Sequence, residues 1–173
     1  MAIQKVGVIG CGLMGSGIAQ VCAQKGFPTL VREVNETLLN KGLERIRTFL
    51  SEGVKRGKVK PEEMSATLQN LKGTTKAEDL ADCDLVIEAV VENLEEKRRI
   101  FSELDRVCKP TAILASNTSS ISLTKIAAST RRMGQCIGLH FMNPVPIMKL
   151  VEIVRPEVTT EATYQTARSF AES

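Results

Sequence analysis

Two kinds of segment alternate along this chain, and the spacing of hydrophobic residues distinguishes them. Short apolar runs typical of buried strands occur at 5–9, 29–33, 84–90, 112–116, 135–141 and 149–154. Between them lie longer segments whose apolar residues recur every three or four positions, as in amphipathic helices. The predicted helices end near 26, 57, 71, 108 and 128, and a last one begins at 160. This alternation predicts an α/β fold with a doubly wound, mostly parallel sheet and helices on both faces.

Length and composition limit the class of protein. The 173 residues are enough for one ordinary domain, and 43% hydrophobic with 25% charged residues supports a packed core. The net charge of +3 is small for a dedicated nucleic-acid binder, so we expect no nucleic-acid partner. No apolar run approaches the length of a membrane span and the chain begins without a signal-like leader, so we expect no membrane association.

The cysteines and the histidine form no metal-binding pattern. The five cysteines are scattered, none of them in a Cys-x-x-Cys pair, and His140 is the only histidine. Structural zinc sites need clustered ligands, so we expect no metal. An odd number of cysteines scattered along the chain fits a reducing compartment. We expect a cytoplasmic protein, with the mitochondrial matrix as the alternative.

A glycine-rich turn follows the first predicted strand. Residues 10–15 read Gly-Cys-Gly-Leu-Met-Gly, which matches the pattern G-x-G-x-x-G between a strand and a helix. The first glycine permits a tight turn, the second lets a pyrophosphate approach the backbone, and the third lets helix and strand pack closely. Free N–H groups at the helix N-terminus then face the phosphates. The motif predicts a Rossmann-type dinucleotide site with contacts from Gly10, Cys11, Gly12, Leu13, Met14 and Gly15.

Glu33 ends the second predicted strand, where this fold places the acid that binds the adenosine ribose. A carboxylate at this position repels a 2′-phosphate, so Glu33 favours NAD over NADP. The neighbouring Arg32 leaves the preference between the two cofactors open.

Four segments taken together resemble one family. They are residues 10–17 (GCGLMGSG), 87–93 (IEAVVEN), 115–120 (ASNTSS) and 138–152 (GLHFMNPVPIMKLVE). In this order they are similar to the NAD-binding domain of the 3-hydroxyacyl-CoA dehydrogenases, which include bacterial 3-hydroxybutyryl-CoA dehydrogenases. The resemblance implies NAD as cofactor, an acyl-CoA thioester as substrate, and a role in fatty-acid β-oxidation or butanoate metabolism.

The chain departs from the family pattern at two points. The family usually has Asp where Glu33 stands, and the longer carboxylate is still expected to reach the ribose. Family members also continue into a helical C-terminal domain that supplies dimer contacts, part of the substrate cleft and a catalytic-site Asn. We therefore expect residues 1–173 to be the NAD-binding domain alone, without the C-terminal domain. A homodimer is expected for the full-length family member.

The resemblance also points to a catalytic pair, His140 and Glu152. Oxidation of a 3-hydroxyl group needs a base with a pKa near neutrality, which histidine provides. His140 ends a predicted strand, and Glu152 lies in the next one. If that strand folds back beside the first, the carboxylate can orient the imidazole and stabilise its cation.

The resemblance assigns the remaining site residues. Ser119 would hydrogen-bond the reacting substrate oxygen near the nicotinamide, with Asn117 beside it and Asn143 at the same end of the site. Glu92 and Lys97 would contact the cofactor on its nicotinamide-ribose side. Lys55 and Arg56 would bind the phosphates of coenzyme A, with Arg56 the better match. The alternative roles are helix capping for Ser119, a helix-surface ion pair for Glu92 and Lys97, and a solvated charged face for Lys55 and Arg56.

Two other functions remain open from the sequence. The chain could be an NAD-binding module or a structural family member that turns over no substrate. It could also belong to a β-hydroxyacid dehydrogenase that acts on a small free acid. Enzymes of that kind typically rely on a catalytic Lys and lack the His-Phe-Met-Asn-Pro run found at 140–144.

Overall fold

One sheet of seven strands forms the centre of the molecule in the computed structural model, which describes residues 2–173. The strands are Val6–Ile9 (β1), Thr29–Arg32 (β2), Leu71–Thr74 (β3), Leu85–Glu88 (β4), Ile113–Ser116 (β5), Cys136–Phe141 (β6) and Val151–Val154 (β7). Their order across the sheet is β3-β2-β1-β4-β5-β6-β7. All neighbours pair in parallel except β6 and β7, which are antiparallel. The predicted doubly wound, mostly parallel sheet is confirmed.

The described residues form six α-helices, of which five lie between strands and the last follows β7. They are Leu13–Gln24 (α1), Glu36–Lys55 (α2), Pro61–Asn70 (α3), Leu94–Val107 (α4), Leu123–Ala127 (α5) and Glu161–Ala171 (α6). Local signals set several of their ends. The Asn35 side chain accepts a hydrogen bond from Leu38 N at the start of α2, and Asn93 accepts one from Glu96 N at the start of α4.

The core has two layers, one on each face of the sheet. The central strands β1 and β4 are buried along their whole length, which is typical of parallel strands covered on both faces. Val8 and Ile87 face the side covered by α1 and α2, where Ile18 and Ile46 lie in the same apolar cluster. The opposite cluster contains Val86 and Leu114 with Ile100 and Phe101 of α4.

The structure differs from the sequence prediction at one edge of the sheet. The hydrophobic pattern predicts no strand at Leu71–Thr74, yet β3 pairs with β2 over its whole length. Its sequence, LKGT, contains a lysine and a glycine, which are depleted in strands and carry no apolar alternation. An edge strand needs only one paired neighbour and little burial, so its hydrophobic signal is weak.

All five cysteines are free and buried. Burial raises the pKa of the Cys22 thiol to about 12 and that of Cys136 to about 11. In the described part of the chain, no helix has both the length and the apolar character of a membrane span.

Helix α2 packs tightly against the glycine-rich turn through Gly42. A Cβ on Gly42 would overlap the sulfur and the carbonyl oxygen of Cys11 and would lie 2.8 Å from its Cβ. The absence of a side chain at this position therefore sets how closely α2 approaches residues 10–15.

We expect Gly42→Ala to destabilise the protein by about 1–3 kcal/mol, the usual cost of overpacking. Inside a helix, alanine is normally more stabilising than glycine by about 1 kcal/mol. The sign of the change in the free energy of unfolding therefore tests the close contact. The control is Asn40→Ala, at an exposed position of the same helix, which should be neutral or slightly stabilising. Urea unfolding of the three proteins measures the difference. Equal stability of the two variants would contradict the close contact.

Candidate active site

The loops that follow the parallel strands meet at one edge of the sheet, since those strands all point the same way. In open α/β sheets this edge binds ligands. It carries the glycine-rich turn after β1, residues 89–93 after β4, and residues 117–120 after β5. Strand β6 runs in the same direction and brings His140 to this edge.

His140 and Glu152 face each other across the antiparallel pair of strands. They are directly opposed in the register of β6 and β7, and His140 Nδ1 lies 2.8 Å from Glu152 Oε2. An ionised carboxylate can only accept, so Nδ1 is the donor to an ionised Glu152, and in the neutral imidazole Nε2 is then an acceptor. The His140 side chain is 23% exposed and can reach a ligand. The structure thus brings together the pair that the sequence predicts.

A cavity of about 300 Å³ opens beside His140. It is lined by Met14, Ala89, Val90, Glu92, Lys97, Asn117, Ser119, His140, Phe141, Met142 and Asn143. Seven of the sixteen predicted site residues line this one cavity. It begins at the glycine-rich turn, where Met14 contributes, and ends at His140 and Asn143.

Lys97 is buried, so its ion pair with Glu92 does not lie on the helix surface as the alternative role expects. Its side chain is 1% exposed, and its ammonium group lies 2.7 Å from Glu88 Oε1 and 3.2 Å from Glu92 Oε2. Glu88, at the end of β4, is fully buried and also accepts hydrogen bonds from Val90 N and Ser116 Oγ. The sequence gives no periodic signal for this arrangement, because Glu88 sits inside an apolar strand and Lys97 inside a charged helix.

Glu92 connects this buried group to the residues after β5. Its Oε1 accepts hydrogen bonds from the Thr118 hydroxyl and from Ser119 N, the latter at 3.2 Å. Partial burial raises the pKa of the Glu92 carboxyl, but the Thr118 hydroxyl and the Lys97 ammonium outweigh it and hold the pKa below its ordinary value. Glu92 is therefore ionised at neutral pH.

The glycine-rich turn has the shape that a dinucleotide pyrophosphate needs. Gly10 has a φ of +92°, and a Cβ on Gly15 would overlap the Gly10 carbonyl oxygen. No other part of residues 2–173 lies within 4 Å of the Cβ position of Gly12, so the space above this residue is open to a ligand. The first turn of α1 has no acidic residue to compete for its free N–H groups.

Glu33 lies beside this turn. Its carboxylate accepts hydrogen bonds from Cys11 N at 2.9 Å and from Val34 N at 2.7 Å. The adjacent Arg32 has a buried Nε atom that lacks a hydrogen-bond partner within residues 2–173. A carboxylate and an Arg32 Nε without a partner among the described residues fit the polar adenosine end of a dinucleotide.

Cys11 and Leu13 flank the turn in different ways. Burial raises the pKa of the Cys11 thiol to about 11, and the Glu33 carboxylate adds to this, so the thiol stays neutral and packs on α2. The backbone N–H of Cys11 donates to Glu33. Leu13 is 61% exposed next to the turn. Arg45 of α2, which the sequence analysis missed, donates to Cys11 O at 3.3 Å.

Asn117 has a structural contact in addition to its place in the cavity. Its Oδ1 accepts a hydrogen bond of 2.8 Å from Phe141 N, which ties the ends of β5 and β6 together.

Lys55 and Arg56 lie away from this cavity. Both are exposed at the end of α2 and pair with Glu52, at 3.0 and 3.9 Å, and neither lines the cavity beside His140.

Comparison with known proteins identifies the family of this chain. A sequence profile described as "3-hydroxyacyl-CoA dehydrogenase, NAD binding domain" matches residues 5–173. The chain belongs to this family. The family resemblance seen in the sequence is thereby confirmed, and NAD is the cofactor of the domain.

Relatives of this NAD-binding domain include two curated enzymes and a solved structure. A 3-hydroxybutyryl-CoA dehydrogenase of Mycobacterium tuberculosis is 50% identical over 171 residues, which are 98% of this chain and 60% of that protein. The enzyme of the same name from Bradyrhizobium diazoefficiens is 48% identical over 168 residues, 97% of this chain and 57% of its own length.

The crystal structure of (S)-3-hydroxybutyryl-CoA dehydrogenase from Ralstonia eutropha is similar at a TM-score of 0.96 and 38% identity. The match covers 99% of this NAD-binding domain and 60% of that chain. The domain thus spans about three fifths of the length of these relatives.

We expect Lys97→Met to destabilise the NAD-binding domain by about 3–5 kcal/mol, because it leaves the buried Glu88 charge without its counter-ion. The double variant with Glu88→Gln should recover part of this loss. The control is Arg98→Met in the same helix, whose exposed pair with Glu95 contributes less than about 1 kcal/mol. Urea unfolding measures all four proteins. A Lys97 variant as stable as the Arg98 variant would disprove the buried pair.

Proposed function

We propose that this chain is the catalytic NAD-binding part of a dehydrogenase that oxidises 3-hydroxyacyl-CoA to 3-oxoacyl-CoA, or reduces acetoacetyl-CoA in reverse. The observation that carries the proposal is the His140–Glu152 pair, at 2.8 Å, on the edge of a cavity that begins at the dinucleotide turn. A base oriented by a carboxylate beside a nicotinamide site suits the removal of a proton from a hydroxyl group.

The chemistry divides between the cofactor and this chain. NAD, when bound, accepts the hydride that leaves C3 of the substrate. His140 Nε2 takes the proton of the 3-hydroxyl group, and the C–O bond becomes a carbonyl as that proton departs. Glu152 keeps the proton on Nδ1 and stabilises the imidazolium that forms. In the reverse direction His140 returns the proton to the carbonyl oxygen.

Ser119 and the two asparagines orient the substrate in this proposal. The Ser119 hydroxyl donates to the reacting oxygen, which becomes more negative when the hydroxyl proton leaves. Asn143 lies at the same end of the cavity as His140, and Asn117 fixes the ends of β5 and β6 that flank it. Glu92 and Lys97, which line the same cavity, contact the cofactor on its nicotinamide-ribose side.

Cofactor choice and substrate class follow from charges outside this cavity. Glu33, beside the glycine-rich turn, binds the adenosine ribose hydroxyls and repels a 2′-phosphate, which favours NAD over NADP. Lys55 and Arg56, exposed at the end of α2, bind the phosphates of coenzyme A. The enzyme serves fatty-acid β-oxidation or butanoate metabolism and, in its full natural length, forms a homodimer.

The first experiment follows NADH consumption with acetoacetyl-CoA in the protein at its full natural length, together with NADH binding by residues 1–173. Turnover of the long protein and NADH binding by this chain support the proposal. A long protein that binds NADH and leaves acetoacetyl-CoA and longer 3-oxoacyl-CoA thioesters untouched would overturn it. Turnover of small free 3-oxo acids instead would support a β-hydroxyacid dehydrogenase.

His140→Ala should lower kcat of the full-length enzyme by about 10²- to 10⁴-fold, the usual contribution of a general base. NADH affinity should persist, because the glycine-rich turn and Glu33 are unchanged. Steady-state kinetics and fluorescence titration of NADH measure the two quantities. Turnover at the wild-type rate would remove His140 from the mechanism.

Arg56→Ala should raise KM for acetoacetyl-CoA by about tenfold, the scale of one charge-assisted phosphate contact, and leave kcat nearly unchanged. The matched substrate is an acetoacetyl thioester of N-acetylcysteamine, which lacks the nucleotide. Its KM should be the same for wild type and variant. Equal increases for both substrates would place the coenzyme A phosphates elsewhere.

A further inference from the structure

The proposed reaction does not use the most deeply buried carboxylate near the cavity. Glu88 is fully buried at the end of β4, and three donors surround it. They are Val90 N and Lys97 Nζ, both 2.7 Å from Oε1, and Ser116 Oγ, 2.6 Å from Oε2. These three donors hold the Glu88 carboxylate in one orientation inside the sheet.

Stability alone does not explain a buried charge pair at this position. Removing two charges from water costs several kcal/mol per ion, and hydrophobic residues of similar volume are often equally stabilising. The strand around Glu88 is apolar, with Leu85, Val86 and Ile87 fully buried, so an apolar side chain would suit it. What the carboxylate adds is a fixed position for the Lys97 ammonium group.

Two chains of contacts lead from Glu88 to the loop that carries Ser119, one ending at Ser119 N and the other at Thr118 N. One passes through Lys97 to Glu92, whose Oε1 accepts from Ser119 N at 3.2 Å. The other passes through Ser116, whose Oγ accepts from Thr118 N at 3.2 Å. Because the Thr118 hydroxyl also donates to Glu92, the two chains close into a ring.

The ring joins the loop after β4 to the loop after β5. Ser119 is exposed and lies at the rim of the cavity, whereas the preceding Thr118 is buried. Within the loop, Thr118 Oγ1 accepts hydrogen bonds from Ser120 N and Ile121 N, and Glu92 Oε1 accepts from Ser119 N and the Thr118 hydroxyl, which ties the loop to the residues after β4. The position of the Ser119 hydroxyl therefore depends on where Glu92 lies, and Glu92 depends on Lys97.

We propose that Glu88 is a positioning residue, which acts through Lys97 and Glu92, and through Ser116, to hold Ser119 at the cavity that His140 faces. This inference rests on the proposed function, in which Ser119 contacts the reacting oxygen. Neutralising Glu88 leaves Glu92 as the only carboxylate on Lys97, which draws Glu92 away from Ser119. A displacement of about 1 Å at a reacting group can cost roughly 100-fold in rate.

The test is a kinetic double-mutant cycle in the full-length enzyme with acetoacetyl-CoA and NADH. Glu88→Gln, which is isosteric and uncharged, should lower kcat by about 10- to 100-fold. In the Ser119→Ala background the same change should lower kcat by less than about threefold, because the group it positions is already gone. The matched control is Glu95→Gln, an exposed residue of α4 that pairs with Arg98, and it should leave kcat unchanged.

Two further variants keep the test decisive if Glu88→Gln does not fold. Glu88→Asp retains the charge and shortens the side chain, and Ser116→Ala cuts the second chain of contacts. Each should lower kcat in the wild-type background and lose most of that effect in the Ser119→Ala background.

Each outcome has a distinct meaning. An active wild type with unchanged kcat in Glu88→Gln would overturn the positioning role and leave the proposed function standing. Equal losses in both backgrounds would also overturn it, because they would show a structural effect independent of Ser119. A wild type inactive on all 3-oxoacyl-CoA thioesters would overturn the proposed function and the positioning role with it.

Discussion

The antiparallel pairing of β7 with β6 places His140 opposite Glu152, and the candidate site depends on that register. Side chains alternate between the two faces of a sheet, so a shift of one residue would move Glu152 to the other face. Two features help to set the register. Leu139 of β6 is fully buried, and its partner Ile153 packs against the same core. The hydrophobic alternation of two short strands thus determines a polar contact at the edge of the sheet.

The parallel part of the sheet has a different role. Its strands share a direction, so the turn after β1 and the loops after β4 and β5 lie at one edge of the sheet. No contact between distant side chains is needed to bring them there. The close approach of Gly15 to Gly10 and of Gly42 to Cys11 then brings α1 and α2 against this edge. Backbone geometry thereby builds the cofactor half of the site. The proposed proton-transfer half depends on the one antiparallel pair.

Sequence reasoning succeeded where the relevant signal is local. The glycine-rich turn and the buried strands are each encoded within a few neighbouring residues, and the structure confirms them. The His140–Glu152 contact could be predicted only on the condition that β7 folds back. The Glu88–Lys97 pair could not be predicted, because it joins a strand and a helix whose separate patterns each favour an ordinary role. Strand β3 was missed because an edge strand carries little hydrophobic signal.

The buried, free cysteines have a consequence for following the molecule in solution. Their thiols react with alkylating reagents only as thiolates, and burial both blocks access and raises the pKa of Cys22 and Cys83 to about 12. Cys22 lies in α1 and Cys83 just before β4, so the two belong to opposite layers of the core. Their labelling rates therefore report the opening of each layer separately, without an introduced probe.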